Sequence, residues 1–510
     1  MAMLLLGSSQ NIQANITDYQ PIVNSTSENG SCTVKMSTEK AIGEAITLMV
    51  NHNEKPYKVN WGDGNIKTYQ STAQQPIFEI KGEVKGKNLS ISCDGNWFML
   101  DVSQNGLTQL DLSNAKALRS LFCAHNALTA IDLTQMTQLL ELDCADNKIS
   151  KIVLTDENKI TTDLPNIIKM DLSENKLTGS LRLNDTETLQ YLDISNNQYE
   201  KLYIGKTGLQ TLLCSRNKFT GVLSLNGSTG IKNLVCNDNK LSTVGFDNSG
   251  ASVEKLICDN NMSFMLNLAK AENLSYLSCA DNKLKNLILH PEASITALNV
   301  AGNQLKFSVL PGKDKKPEYV SFLPQDSVDI SKASGMMTKD KMTYAPVANN
   351  WDERDNYFID LSFNCKLADK SYDADIKWYR VLPDGNSVEM KECTTEADGD
   401  FYVNEGKVSF FKGYEKAYAK FISRTYGFEL PTKAIRIGDE LTGIEQLNNE
   451  MGRVHIAIAP QGIYLNTSAA TPVSVFTIEG KSVWKGTVKG QQYLQLAKGI
   501  YIVNGKKVAL

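Results

Sequence analysis

The chain has 510 residues, 42% of them hydrophobic, and a formal net charge of −4. Such a length predicts several domains, the composition is that of a folded chain, and the charge excludes a nucleic-acid footprint. No apolar run is long enough to span a bilayer.

Residues 1–14 (MAMLLLGSSQNIQA) begin with an apolar run at Met3 to Leu6, turn small and polar, and end in Ile12-Gln13-Ala14, which suits a signal-peptidase cut. They read as the remnant of a secretory signal peptide and so point to export, to the cell surface, the medium or the periplasm. The alternative is a disordered N-terminus.

Residues 28–96 read as short strands at Cys32 to Met36, Ala45 to Val50, Lys58 to Trp61, Pro76 to Ile80 and Leu89 to Cys93. Between the third and fourth lies Trp61-Gly62-Asp63-Gly64. Its glycines permit positive φ, Asp63 caps the turn and Trp61 packs inward. Asp63 as a catalytic acid has no partner nearby in sequence. The motif resembles the WGDG turn of PKD-like β-sandwiches. A module there would cap the segment that follows, since a repeat stack exposes core at its ends.

From residue 97 to about 310 one phrase recurs, clearest as Leu139 to Asn147 (LLELDCADN), Leu209 to Asn217 (LQTLLCSRN) and Leu274 to Asn282 (LSYLSCADN). The asparagines that close it are Asn105, Asn126, Asn147, Asn175, Asn197, Asn217, Asn239, Asn261, Asn282 and Asn303, spaced 21, 21, 28, 22, 20, 22, 22, 21 and 21. This is the leucine-rich-repeat period: ten units, mostly of 20–22 residues, with one insertion. Each unit supplies a short strand that cannot bury its apolar side alone; stacking the units roughly 4.8 Å apart makes one continuous core. A second apolar phrase after most asparagines, such as Leu107 to Leu112 and Leu128 to Leu133, leaves little room for a helix. The expected fold is therefore mostly β, a leucine-rich-repeat solenoid flanked by β-sandwich modules.

Cys123, Cys144, Cys214, Cys236, Cys258 and Cys279 share a slot with Val102, Leu172, Ile194 and Val300. That interchange makes the thiols small buried hydrophobes. Parallel stacking keeps them about 5 Å apart, beyond disulfide geometry, and no CxxC or Cys/His grouping predicts a metal. No cofactor is expected. The asparagine side chain is expected to serve backbone groups at the turn.

With Leu-x-x-Leu-x-Cys as the inner strand, the x residues point to solvent on the concave face. Before the cysteine slot they read Asp101, Phe122, Asp143, Asp171, Asp193, Leu213, Val235, Ile257, Ser278 and Asn299. Asp143, Asp171 and Asp193, with Glu141, Asp146 and Glu174 on adjacent columns, would welcome a cation or a basic partner; the alternative is a solvated face. Leu213, Val235 and Ile257, flanked by Tyr191 and Tyr276, form an apolar block suited to a protein or glycan; the alternative is a covering loop or domain. A glycosidase would need two of the carboxylates, such as Glu141 and Asp171, but a shallow face excludes water poorly. The four histidines, His52, His125, His290 and His455, lie far apart in the sequence, and no catalytic motif is present, so an enzyme is not expected. A third reading is a rigid spacer without a ligand.

Residues 311–345 read as a connection. Residues 346–438 carry strands at Tyr357 to Phe363, Asp375 to Val381, Lys407 to Phe411, Tyr418 to Ser423 and Lys433 to Ile437. Ile376-Lys377-Trp378-Tyr379 followed by Pro383-Asp384-Gly385 resembles strand C of an immunoglobulin-like sandwich with Trp378 as core, although Tyr418 to Phe421 lacks the partner cysteine. Cys365 and Cys393 are free to pair, though nothing in the spacing demands it.

Residues 441–510 form a last strand set. Val475 to Lys481 and Leu496 to Val508, with a Gly-Lys hairpin, the strand Lys498-Gly499-Ile500-Tyr501-Ile502-Val503 and a basic end, resemble the C-terminal sorting domain of type IX secretion cargo in Bacteroidota. Ala459-Pro460 stands where that family has Asn-Pro. The whole order is similar to leucine-rich-repeat surface proteins of Bacteroidota, with repeats related to the BspA-like and internalin-like groups. The resemblance implies an exported, monomeric adhesion protein that binds a protein or glycan.

Overall fold

The computed structural model describes residues 32–438 and 454–509, apart from 73, 96, 156–163, 184–186, 229, 247–251, 332–337, 341–355, 394–398, 412, 460–461, 478–480 and 504–505. The expected signal-peptide remnant, residues 1–14, lies outside them. The chain divides into a first unit ending at Asp326, joined by Leu367–Lys370, and a second unit from Ser327 onward.

The first unit begins with six strands: β1 (Cys32–Thr38), β2 (Ala45–Asn51), β3 (Tyr57–Asn60), β4 (Ile66–Tyr69), β5 (Ile77–Glu83) and β6 (Asn88–Cys93). Only β4 has no counterpart in the sequence reading; its residues are mostly exposed, so no buried alternation betrays it. Trp61 is 2% exposed, and its indole N–H donates to Tyr69 Oη at 3.0 Å. A Cβ on Gly62, which sits at φ +108°, would lie 2.4 Å from the Gly86 carbonyl oxygen. That close approach is why the turn takes glycine. Asp63 accepts the Asn65 side-chain amide at 3.1 Å and the Asn65 backbone N–H at 2.9 Å, and pairs with Lys85 at 3.1 Å. Those hydrogen bonds pull its carboxyl down to about 2, the opposite of what a general acid needs.

The repeats form a solenoid. Its main sheet has thirteen strands, in which β5 and β2 run antiparallel and precede a parallel stack that starts at β7 (Met99–Asp101). The stack continues through Ser120–Phe122, Glu141–Asp143, Lys169–Asp171, Tyr191–Asp193, Thr211–Leu213, Asn233–Val235, Lys255–Ile257, Tyr276–Ser278, Ala297–Asn299 and Tyr319–Ser321. The last strand lies beyond the expected end at 310. The central residue of each repeat strand through Ala297–Asn299 is buried, as are the six repeat cysteines, at 0–1% exposure. The second phrase of the repeat forms short parallel pairs on the other side, such as Thr220–Ser224 with Lys240–Gly245 and Met265–Leu268 with Asn286–Leu289.

The asparagines hold one rung to the next. In the Asn239 rung, Oδ1 accepts the buried Phe219 N–H at 3.1 Å, while Nδ2 donates to the carbonyls of Cys214, Cys236 and Asn237 at 3.1–3.2 Å. The turn beside it needs a left-handed residue, and the position before each asparagine supplies one, from Gln104 (φ 60°) through Asp238 (φ 56°) to Gly302 (φ 65°). The ladder starts on the cap, where Asn105 exchanges hydrogen bonds with the Thr47 backbone of β2. It ends on Gln325, which accepts the Leu305 N–H and donates to the Val300 carbonyl, both at 2.7 Å. On the opposite side, β8 (Leu107–Asn114) pairs antiparallel with β1. The first six strands thus continue both faces of the solenoid and cover its end.

The second unit holds three sheets. Trp378, in Ala374–Val381, is fully buried and packs edge-on against Phe410, in Lys407–Phe410 of a neighbouring sheet, at 4.8 Å. Trp378 lies opposite Ala419 in Tyr414–Ser423. Phe363, expected at the end of a strand, falls instead in the 3-10 turn Ser362–Cys365 and is 68% exposed. Cys365 and Cys393 are both buried and unbridged, and burial pushes the Cys365 thiol up to about 12. The last sheet is built on Gly462–Thr477, where two expected strands run as one, paired with Ser482–Gln495 around Ile463, Leu465, Val475 and Val503.

Candidate binding face

Parallel pairing without a slip sets side chains of successive rungs directly beside one another. One outward column of the main sheet runs Asp101, Phe122, Asp143, Asp171, Asp193, Leu213, Val235, Ile257, Ser278 and Asn299, each aligned with the next. The column two residues earlier contains Glu141, Lys169, Tyr191, Thr211, Asn233, Lys255 and Tyr276. The expected strand residues therefore lie on one sheet face, acidic on the early rungs and apolar on the later ones, whereas Asp146 and Glu174 fall beyond the strands at the left-handed turn position (φ 48° and 53°).

The side chains are not as open as the sequence suggests. Phe122, Asp143, Asp171, Asp193, Leu213, Val235, Ile257, Tyr191 and Tyr276 are all half-buried, and Glu141 is 8% exposed. Neighbours at the rung spacing of about 4.8 Å cover each other's flanks, which no single repeat reveals.

That crowding shapes the electrostatics. Asp143, Asp171 and Asp193 each accept a backbone N–H two residues on, from Ala145, Ser173 and Ser195, at 2.8–3.0 Å. Even so, burial and then the Asp171 charge push the Asp193 carboxyl up to about 7. Asp143 is raised by the same two causes, burial foremost. Glu141 is held by Lys169 at 3.2 Å, so it is not a free acid for the Asp171 rung. Two lysines that the sequence reading did not weigh lie over the tyrosines: Lys169 is 5.6 Å from the Tyr191 ring centre, and Lys255 is 5.0 Å from that of Tyr276. Their signal was the residue two places before the acidic or apolar column. Beyond Ile257 the column meets a polar clamp, in which Ser278 Oγ donates to Asp259 at 2.7 Å and Asn299 Nδ2 donates to Ser278 Oγ at 3.0 Å.

Among the described residues, no group of three or more His, Cys, Asp or Glu is placed to hold a metal ion, and no helix is long and apolar enough to cross a membrane. The face offers charge, apolar area and hydrogen-bonding groups along a line, which is what recognition of an extended ligand uses.

No family model matches the chain, and no curated protein does. Among solved structures it is similar to the functional domain of InlJ from Listeria monocytogenes, which includes a cysteine ladder: 16% identity over 67% of this chain and 92% of that one, with a TM-score of 0.31. InlP from the same organism matches at 13% over 66% and 91%, TM-score 0.31. YopM, a leucine-rich effector protein from Yersinia pestis, matches at 21% identity over 42% and 57%, TM-score 0.35. At these values no ligand or activity passes from them to this chain.

Proposed function

We propose that the chain is an exported, surface-held binding protein whose main-sheet column takes an extended protein segment, basic where it meets Asp143, Asp171 and Asp193 and apolar where it meets Leu213, Val235 and Ile257. The observation that carries this is the unbroken alignment of three carboxylates with three apolar side chains. Burial and then the neighbouring Asp171 charge raise the Asp193 carboxyl to about 7, and a partner cation would offset both. Protein is favoured over glycan because one face of each bordering tyrosine is already occupied by a lysine, which leaves less open ring for a sugar. Export rests on the resemblance of residues 441–510 to type IX sorting domains. Whole-cell protease accessibility that depends on those residues would support it; a protected protein indifferent to their removal would refute it.

The binding test is selection of extended peptides from a random display library against the full chain. Selected peptides should combine Lys or Arg with apolar residues. They should lose binding to the folded triple variant Leu213→Asp, Val235→Asp, Ile257→Asp and weaken on Asp143→Asn, Asp171→Asn, Asp193→Asn. Undiminished binding to both folded variants would place the site elsewhere.

A further inference from the structure

The opposite edge of the solenoid carries a second surface that the main-sheet column does not use. The residue after each ladder asparagine is held in register by its amide, which donates to the previous rung: Lys218 to Tyr199, Lys240 to Phe219, Met262 to Leu241 and Lys283 to Ser263, each at 2.9 Å. Lys218, Lys240, Met262 and Lys283 are all exposed, and their side chains recur at about 5 Å. Two lysines elsewhere in the unit are paired, Lys169 with Glu141 at 3.2 Å and Lys232 with Glu254 at 3.1 Å. Among the described residues, Lys240 and Lys283 form no ion pair, and Lys218 meets only the neutral Gln198, at 2.9 Å.

Beside this lysine column lie several exposed large apolar side chains of the solenoid. Val222 and Phe264 are each 58% exposed, Met262 49%, Met265 41% and Ile288 40%. Val222 aligns with Thr243, whose hydroxyl donates to the Met265 carbonyl at 2.9 Å, and the Lys285 N–H donates to the Phe264 carbonyl at 3.0 Å. These contacts place the apolar residues on adjoining rungs. Rungs 218–222, 240–244, 262–267 and 283–288 contain no Asp or Glu at all. The carboxylates of these turns, Asp238, Asp259 and Asp281, stand before the ladder asparagine; Asp238 is already engaged by Arg216 at 3.6 Å and Asn260 at 2.7 Å, and Asp259 by Ser278 at 2.7 Å.

Exposed aromatic and aliphatic side chains bordered by unpaired lysines, with no acid between them, match an interface in which apolar groups enter the acyl boundary while ammonium groups meet phosphates. A soluble polyanion would account for the lysines but leave Phe264, Val222 and Ile288 in water. We propose that this edge docks on an anionic lipid surface, independently of the ligand face on the main sheet.

The test is sedimentation of the full chain with vesicles of phosphatidylcholine, alone or with about a third phosphatidylglycerol. Binding is expected only with the anionic lipid and should weaken with salt. At ~1 kcal/mol per lysine, Lys218→Gln, Lys240→Gln, Lys283→Gln should lower affinity about a hundredfold. Phe264→Ser, Met265→Ser should lower it about tenfold or more without changing the salt dependence. A triple control at Lys81, Lys377 and Lys433 should bind as the parent. Failure to pellet, equal pelleting with neutral vesicles, or an equal loss in the control overturns the proposal. So does binding to soluble heparin in the absence of any vesicle binding, which would assign the lysines to a polysaccharide. Retained peptide binding in the lysine variant separates this edge from the main-sheet face.

Discussion

Replacing Asn239 with Ala tests how the rungs are joined. Asn239 is 8% exposed and makes four contacts: it accepts from Phe219 and donates to Cys214, Cys236 and Asn237. Truncation orphans the Phe219 N–H, because its carbonyl partner in ordinary strand pairing is absent here. An unsatisfied buried donor costs about 2 kcal/mol, and the weakened carbonyls about 1 kcal/mol each for the two least accessible. The expected loss is therefore ~4 kcal/mol. Asn239→Asp should be at least as damaging at neutral pH, since a carboxylate keeps the bond to Phe219 but faces three carbonyls without a proton. Urea unfolding gives the total, and hydrogen exchange at the Phe219 and Lys240 amides gives the location. A loss below ~1 kcal/mol, with Phe219 protected as in the parent, would show that the asparagine only fills space.

Three further outcomes follow from the same geometry. The Asp193 carboxyl is raised in the folded chain to about 7, so its favourable contribution is complete below pH ~4 and is lost as pH rises through about 7. Asp193→Asn should match the parent at pH 4 and exceed it by ~1–2 kcal/mol at pH 8, a full three-unit shift being reduced by solvent and by sharing with Asp171; parallel stability profiles would refute this. Cys236→Ser should cost ~1–3 kcal/mol by placing a hydroxyl in a dry stack, whereas Cys236→Val should cost under ~1 kcal/mol, and thermal unfolding of the pair would expose equal stability if the stack is wet. Gly82→Ala would put a Cβ 2.2 Å from the Trp61 ring. It should lower stability by ~2 kcal/mol with a changed Trp near-ultraviolet signal, and an unaltered spectrum would count against the packing described.

The period of the repeat made the solenoid legible, because Leu-x-x-Leu-x-Cys states which side chains are buried and the asparagine marks each turn. The cysteine slot was readable for the same reason: Val102 and Val300 occupy it too. The final rung was not, since Val320, Phe322 and Gln325 replace the leucine, cysteine and asparagine while keeping the spacing of 22 from Asn303. The composition of the binding face could be read residue by residue, but its half-burial could not. That depends on the distance between rungs, which is a property of the stack. The apolar turn edge has no period in the sequence: Val222, Phe264 and Ile288 sit at different offsets from the asparagine, and their segments become neighbours only once the rungs pair.

The ladder also has a direction. Each asparagine completes the hydrogen bonds of the rung before it, from Asn105 on the cap to Gln325 at the far end. A rung is thus finished by its successor and never by itself. Shortening the stack from the C-terminal side would strand the buried amide of whichever rung became last, whereas removing or duplicating a whole internal unit would leave every junction of the same kind. Length is in this sense adjustable in steps of one rung, provided that the first and last members are kept.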